Sequence, residues 1–174
     1  HISEADLVCV YPCTLDFMAK ASLGLCDSAA STLLQSVLGR KPVFAQVSMH
    51  ESLRESPSYS EHSSKLSKIP LFRFLEGPYE EKKYKALDAV SFVDQVCHFY
   101  NANREQRDKP DASRVLMTSG PTRSYLDEVR YLSNYSSGSL GKEIALEFYR
   151  QGHFVHVVSG PASVSIPSYI SSVE

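Results

Sequence analysis

The sequence predicts an α/β protein made of two parallel-sheet units in succession. Three observations predict it. Short apolar runs at 5–12, 41–49, 114–118 and 153–161 read as buried strands. Between the members of each pair lie segments with apolar residues at helical spacing. A charged, proline-containing stretch poor in apolar residues, 102–113, separates the pairs and reads as a linker. Strand, helix and strand in that order favour a parallel sheet with both faces covered.

The first unit occupies residues 1–101. "ADLVCVYP", 5–12, is its opening strand, closed by Pro12. "TLDFMAKASLG", 14–24, reads as a helix with Thr14 as N-cap and Gly24 as its stop. A second helix follows over 28–39 and a strand over 41–49. Residues 51–68 are polar and serine-rich and read as a mobile loop, in which His62 has no neighbour to make it chemical. "IPLFRF", 69–74, reads as a strand, and 77–85 as a solvated, charged turn. Leu87, Val90, Val93, Val96 and Cys97 place an amphipathic helix over 87–101.

The second unit, 114–174, opens with a strand over 114–118 and a long loop to Ser136. A helix over 137–151 carries Leu140, Ile144, Ala145 and Phe148 on one face and stops at Gly152. "HFVHVVSGP" is the next strand, and a strand-like segment precedes Glu174.

Composition narrows the function classes. The chain has 174 residues, is 43% hydrophobic and 22% charged, and carries a formal charge of −2. Such a chain has no basic field to neutralise nucleic-acid phosphates. It contains no run of about 18 apolar residues, so a membrane span is not expected. No signal-peptide pattern opens it, and the reading is a cytoplasmic fragment of a longer protein. Its four cysteines, Cys9, Cys13, Cys26 and Cys97, form no C-x-x-C pair and read as reduced, mostly buried thiols. His153 and His156, three apart on a strand, point to opposite faces, so no shared metal is expected. The ten tyrosines read as core and interface residues rather than as a stacking platform for bases.

The chemistry concentrates in 117–161. In a parallel α/β unit, ligands bind at the carboxyl ends of the strands. "SGPTR", 119–123, follows the first strand of the second unit, and "SGP", 159–161, follows its second. "NYSSGSLG", 134–141, lies at the helix start, where unpaired N–H groups and the helix dipole favour an anion. Ser136 and Ser137 can add hydroxyls, and Gly138 lets a phosphate approach the backbone. No complete G-x-G-x-x-G or P-loop is present, so simple capping and turn formation explain the pattern equally well at this level.

These residues also carry a resemblance. The pieces "TSGPTR", "DEVRYLSN", "SSGSLG" and "VVSGP" occur in the order found at the start of phosphopantothenoylcysteine synthetase, the phosphopantothenate–cysteine ligase family. The region 1–49, through Ala5-Asp6-Leu7, Pro12, Thr14, Asp16 and Lys20, resembles the flavin-dependent phosphopantothenoylcysteine decarboxylase family. In bifunctional coenzyme A biosynthesis proteins that domain precedes the synthetase. The resemblance implies a flavodoxin-like flavoprotein domain, incomplete and degenerate, followed by the start of a Rossmann-like synthetase domain. It implies CTP with Mg²⁺, 4′-phosphopantothenate and cysteine as partners, an acyl-cytidylate intermediate, and a homo-oligomer. It assigns Gly120, Pro121, Thr122, Arg123, Ser136, Ser137, Gly138, Ser159 and Gly160 to the nucleotide phosphates, and Asn134 to the second half-reaction. It assigns Pro12, Thr14, Asp16 and Met49 to a possible FMN site, and His1 to the decarboxylase acid/base.

The first half departs from its family. His50 stands where the family has the asparagine of P-x-M-N, and an imidazole lacks the paired donor and acceptor of an amide. The segment that should bring a flap cysteine, "FLEGPYEEKKYK", has none, and Cys97 on the following helix is no substitute. These departures predict a decarboxylase half without useful activity. The competing reading is an FMN-holding scaffold or oligomerisation module without catalysis.

Overall fold

The structure is a computed structural model that describes residues 4–77, 79–80, 83–84, 86–108, 112–161 and 164–173, with backbone alone at 79–80, 83–84 and 104–108. His1 lies outside the described residues. The chain divides into two compact units, His1–Phe92 and Val93–Glu174. Each is α/β with a parallel sheet, as the strand and helix order predicts.

In the first unit, β1 (Val8–Cys13), β2 (Val43–Val47) and β3 (Phe72–Leu75) form a parallel sheet in that order. β2 is central and buried at every position. β1 was expected to be buried, but it lies at the sheet edge among the described strands, and Cys9 and Tyr11 are exposed. Helix α1 (Leu15–Leu23) starts where Phe17 N–H donates to Thr14 Oγ1 at 3.3 Å and ends at Gly24, whose φ of 75° suits glycine. Helix α2 (Ala29–Val37) is opened by a reciprocal capping box between Ser28 and Ser31. Met18, Ala21, Leu34 and Val37 pack on Val43, Ala45 and Val47 to make the core.

The serine-rich stretch is helical, which corrects the loop expected there. α3 (Glu51–Arg54) and α4 (Pro57–Ser67) fill it. Ser56 caps α4 through Tyr59 N–H, Pro57 sits in the first turn, and Leu66 is fully buried. Serines on the solvent face hid a helix fixed by caps and a single deep anchor. His62 also gains a partner on α1, with Nδ1 2.7 Å from Ser22 Oγ. The charged turn after β3 forms a small antiparallel pair, β4 (Tyr79–Glu80) with β5 (Lys83–Tyr84).

Helix α5 (Ala89–Asp108) runs through most of the stretch expected as linker, so residues 102–108 are helical. Arg, Glu and Gln favour helix while looking like linker by composition.

In the second unit, β6 (Arg114–Ser119), β9 (Phe154–Ser159) and β10 (Ser171–Val173) form a parallel sheet in the order β10-β9-β6. Val115 pairs with Val155 and Met117 with Val157. Helix α6 (Ser139–Arg150) covers that face through Ala145, Leu146 and Tyr149. The long loop expected before it holds an exposed antiparallel hairpin, β7 (Arg123–Tyr125) with β8 (Tyr131–Ser133). Buried Asp94 of α5 accepts hydrogen bonds from Arg150 Nε and Tyr169 Oη, both at 2.7 Å. Gly152 has φ 94°, and a Cβ there would lie 2.5 Å from the Ala102 nitrogen.

Candidate functional site

The second unit brings its glycine loops together at the carboxyl ends of its strands. β6 and β9 stay paired to their last residues, Ser119 and Ser159. Immediately beyond, Gly160 N–H donates to the Ser119 carbonyl at 2.7 Å. Gly120 has φ 114°, and a Cβ on it would lie 3.0–3.1 Å from Gly160 backbone atoms. The loops therefore touch backbone to backbone, a contact that side chains would prevent. Gly141, in the first turn of α6, lies so close to Ser119 that a Cβ would collide with its hydroxyl. That contact pins the helix start to the end of β6. Gly141 was missed in the sequence, although a glycine inside a helix costs about 1 kcal/mol against alanine and so marks a close approach.

Gly138 is buried, has φ 82°, and supplies no side-chain cap to α6. Ser137 Oγ instead accepts from Ser139 N–H at 3.3 Å, and the Ser137 carbonyl accepts from Val164 N–H at 3.2 Å. The positive φ at Gly138 means that a bulky residue there would strain the backbone. Asn134 ends the hairpin, and its Oδ1 accepts from Thr122 N–H at 2.9 Å. This bond fixes the amide and commits its oxygen to the protein. Arg123 lies along the hairpin, its guanidinium over the Tyr131 ring, 4.6 Å from the centroid. Pro121 is half-buried beside Gly160, whose Cβ position lies 3.3 Å from the Pro121 carbonyl oxygen. Ser136 closes a tight turn by donating its N–H to the Asn134 carbonyl at 3.0 Å.

In the first unit, the strand ends of β1 and β2 are tied by Ser48 N–H donating to the Cys13 carbonyl at 3.0 Å. Pro12 is exposed and Thr14 caps α1. Asp16 is ion-paired to Lys20 at 3.1 Å, and Lys20 also meets Asp27 at 2.9 Å. Met49 packs against the core. His50 is committed locally: its Nδ1 accepts from Ser52 N–H at 3.3 Å and lies 2.9 Å from Ser52 Oγ, capping α3. Gln46, which the sequence reading passed over, is 1% exposed, and its Oε1 has no partner among the described residues.

The cysteines correct another expectation. Cys13 is buried, which pushes its thiol up to about 12. Cys9 and Cys26 are exposed and Cys97 is half-buried. His153 Nδ1 accepts from Ser113 N–H, while His156 Nδ1 pairs with Ser171 Oγ. Among the described residues no three His, Cys, Asp or Glu side chains gather as metal ligands. No helix among them is long and apolar enough to cross a membrane.

Comparison with known proteins adds to this geometry. A family model described as "Flavoprotein" matches residues 1–101, and one described as "DNA/pantothenate metabolism flavoprotein C-terminal domain" matches 111–174. The chain is 32% identical over 173 residues to the coenzyme A biosynthesis bifunctional protein CoaBC of Thermococcus kodakarensis, covering 99% of this chain and 41% of that protein. The CoaBC of Methanocaldococcus jannaschii is 29% identical, with 98% and 40% covered. That of Escherichia coli K12 is 30% identical, with 98% and 42% covered. The chain thus spans about two-fifths of the curated relatives it matches.

Proposed function

Because the chain belongs to the flavoprotein family, we propose that it acts in coenzyme A biosynthesis, as the junction of a flavoprotein domain and a phosphopantothenate–cysteine ligase domain. On this reading the longer protein joins 4′-phosphopantothenate to cysteine using CTP and Mg²⁺. The carboxylate of phosphopantothenate attacks the α-phosphorus of CTP, pyrophosphate leaves, and the amine of cysteine then displaces CMP from the acyl-cytidylate. The observation that carries the reading is the convergence of Gly120, Gly160 and the first turn of α6, with Asn134 fixed beside them by Thr122. Backbone N–H groups at a strand end and a helix start suit a phosphate chain. The Nδ2 donors of Asn134, unpartnered among the described residues, suit a carbonyl oxygen that gains negative charge as the amine attacks. The test is pyrophosphate release that requires both CTP and phosphopantothenate. Release without phosphopantothenate, or none at all, would sink the ligase reading.

The first domain supports a second, compatible role, as an FMN-holding scaffold. Its strand ends suit a phosphorylated flavin. Thr14 Oγ1 accepts from the backbone and keeps its hydrogen for a phosphate oxygen, and Lys20 offsets the charge of Asp16. The buried amide oxygen of Gln46 has no donor among the described residues. Bound FMN supplies hydride-accepting chemistry. His50, whose Nδ1 caps α3, offers no amide in the asparagine's place, which supports a half without decarboxylase turnover. The reading also takes the protein as a cytoplasmic homo-oligomer. The exposed apolar residues of the β7–β8 hairpin, Leu126, Val129 and Leu132, support self-association.

A further inference from the structure

We propose that Gln46 is a flavin-contacting residue whose amide oxygen accepts the ring N–H of bound FMN. The inference rests on the flavin reading of the first domain. β2 is the central, fully buried strand of its sheet, and an apolar side chain would suit every position in it. Gln46 instead buries an amide. Its Nε2 donates to the Val47 carbonyl at 2.9 Å, while Oε1 has no donor among the described residues. A buried acceptor left unpaired destabilises the fold that holds it, so a polar group kept at such a place points to a ligand.

The position of the amide says which ligand edge it meets. Val47 is the last residue of β2 and pairs with Cys13 at the end of β1. The Nε2 bond therefore draws the Gln46 amide toward the carboxyl edge of the sheet, where parallel α/β units bind their ligands. Val43, Ala45 and Val47 face the helical core, so Gln46, one residue out of phase, approaches that edge from the opposite face. Oxidised FMN carries one ring N–H, flanked by two carbonyl acceptors. A lone buried acceptor matches that donor, whereas phosphate and ribityl oxygens suit the Thr14 side of the edge. The competing occupant is a buried water bonded to Oε1.

The test is titration of the chain with FMN and with its N3-methylated analogue, followed by flavin fluorescence and by the shift of the flavin absorption band. Gln46→Met keeps the length of the side chain and removes the amide. The unsubstituted chain should bind FMN about 3- to 10-fold more tightly than N3-methyl-FMN, the worth of one hydrogen bond. Gln46→Met should lose that discrimination and bind FMN as weakly as the analogue. Its thermal midpoint without flavin should be equal or higher, because the orphan acceptor is gone. A buried-water role predicts flavin affinities that Gln46→Met does not change, and that result would overturn the proposal alone. Equal binding of FMN and its analogue by the unsubstituted chain would overturn it even if Gln46→Met fails to fold. No binding of either flavin would overturn the flavin reading and this inference together.

Discussion

Thr122 N–H and Asn134 Oδ1 are joined across the base of the β7–β8 hairpin at 2.9 Å. The bond commits the oxygen of the Asn134 amide, while its nitrogen has no hydrogen-bond partner among the described residues. Asn134→Asp keeps an oxygen for Thr122 and loses the donor, so it isolates the second role. In the longer protein it should still consume CTP and accumulate acyl-cytidylate, with ligation reduced about 10²- to 10³-fold. Asn134→Ala should also loosen the hairpin base. A single-turnover measurement of intermediate and product separates these outcomes, and normal ligation by the aspartate variant would leave Asn134 with its local bond alone.

Gly152 turns the chain from α6 into β9 in a conformation that disfavours side chains, against the backbone of α5. Gly152→Ala is expected to destabilise the second unit by about 2 kcal/mol or more, through φ strain plus a backbone collision. Urea unfolding followed by a probe in that unit measures it.

Asp94 is buried between Arg150 and the Tyr169 hydroxyl. Asp94→Ala removes the shared acceptor of both bonds, at a cost of about 1–3 kcal/mol. Tyr169→Phe removes one bond and should cost about 1 kcal/mol. A double variant that costs the same as Asp94→Ala alone would show that the tyrosine acts through the carboxylate.

The thiol of Cys13 ionises at about 12 in the fold against 9.0 unperturbed. A raised folded value means that its contribution is complete below pH 9 and lost as pH climbs toward 12. Thermal midpoints of the first unit should fall across that window, and Cys13→Ala should flatten the fall. Iodoacetamide at neutral pH should modify the exposed Cys9 and Cys26 well before Cys13.

With FMN added, the longer protein should release no carbon dioxide from phosphopantothenoylcysteine at the usual enzyme scale of about 1–10³ per second. The basis is His50, whose Nδ1 caps α3 and whose imidazole offers no amide in the asparagine's place. Turnover in that range would show that this cap gives way when substrate binds.

Local chemistry determined much of this molecule in advance. Thr14 and Gly24 bound α1 because an N-cap oxygen and a left-handed glycine act within a few residues. The alternation of Val115, Met117, Val155 and Val157 set the buried face of the second sheet for the same local reason. The ordered glycine loops placed the candidate site at the strand ends. Tertiary structure decided the rest, because the deciding contacts join residues far apart in the chain. The serine-rich stretch became α4 because Leu66 could reach the core beside Met18. Residues 102–108 stayed helical, where composition had suggested a linker. Gly141 is required by the Ser119 side chain rather than by its own helix. Gln46 looks like any strand residue until the fold buries its amide, with no donor for the oxygen among the described residues. Caps and periodicity are properties of a window of sequence; close approach and burial exist only once the chain has folded.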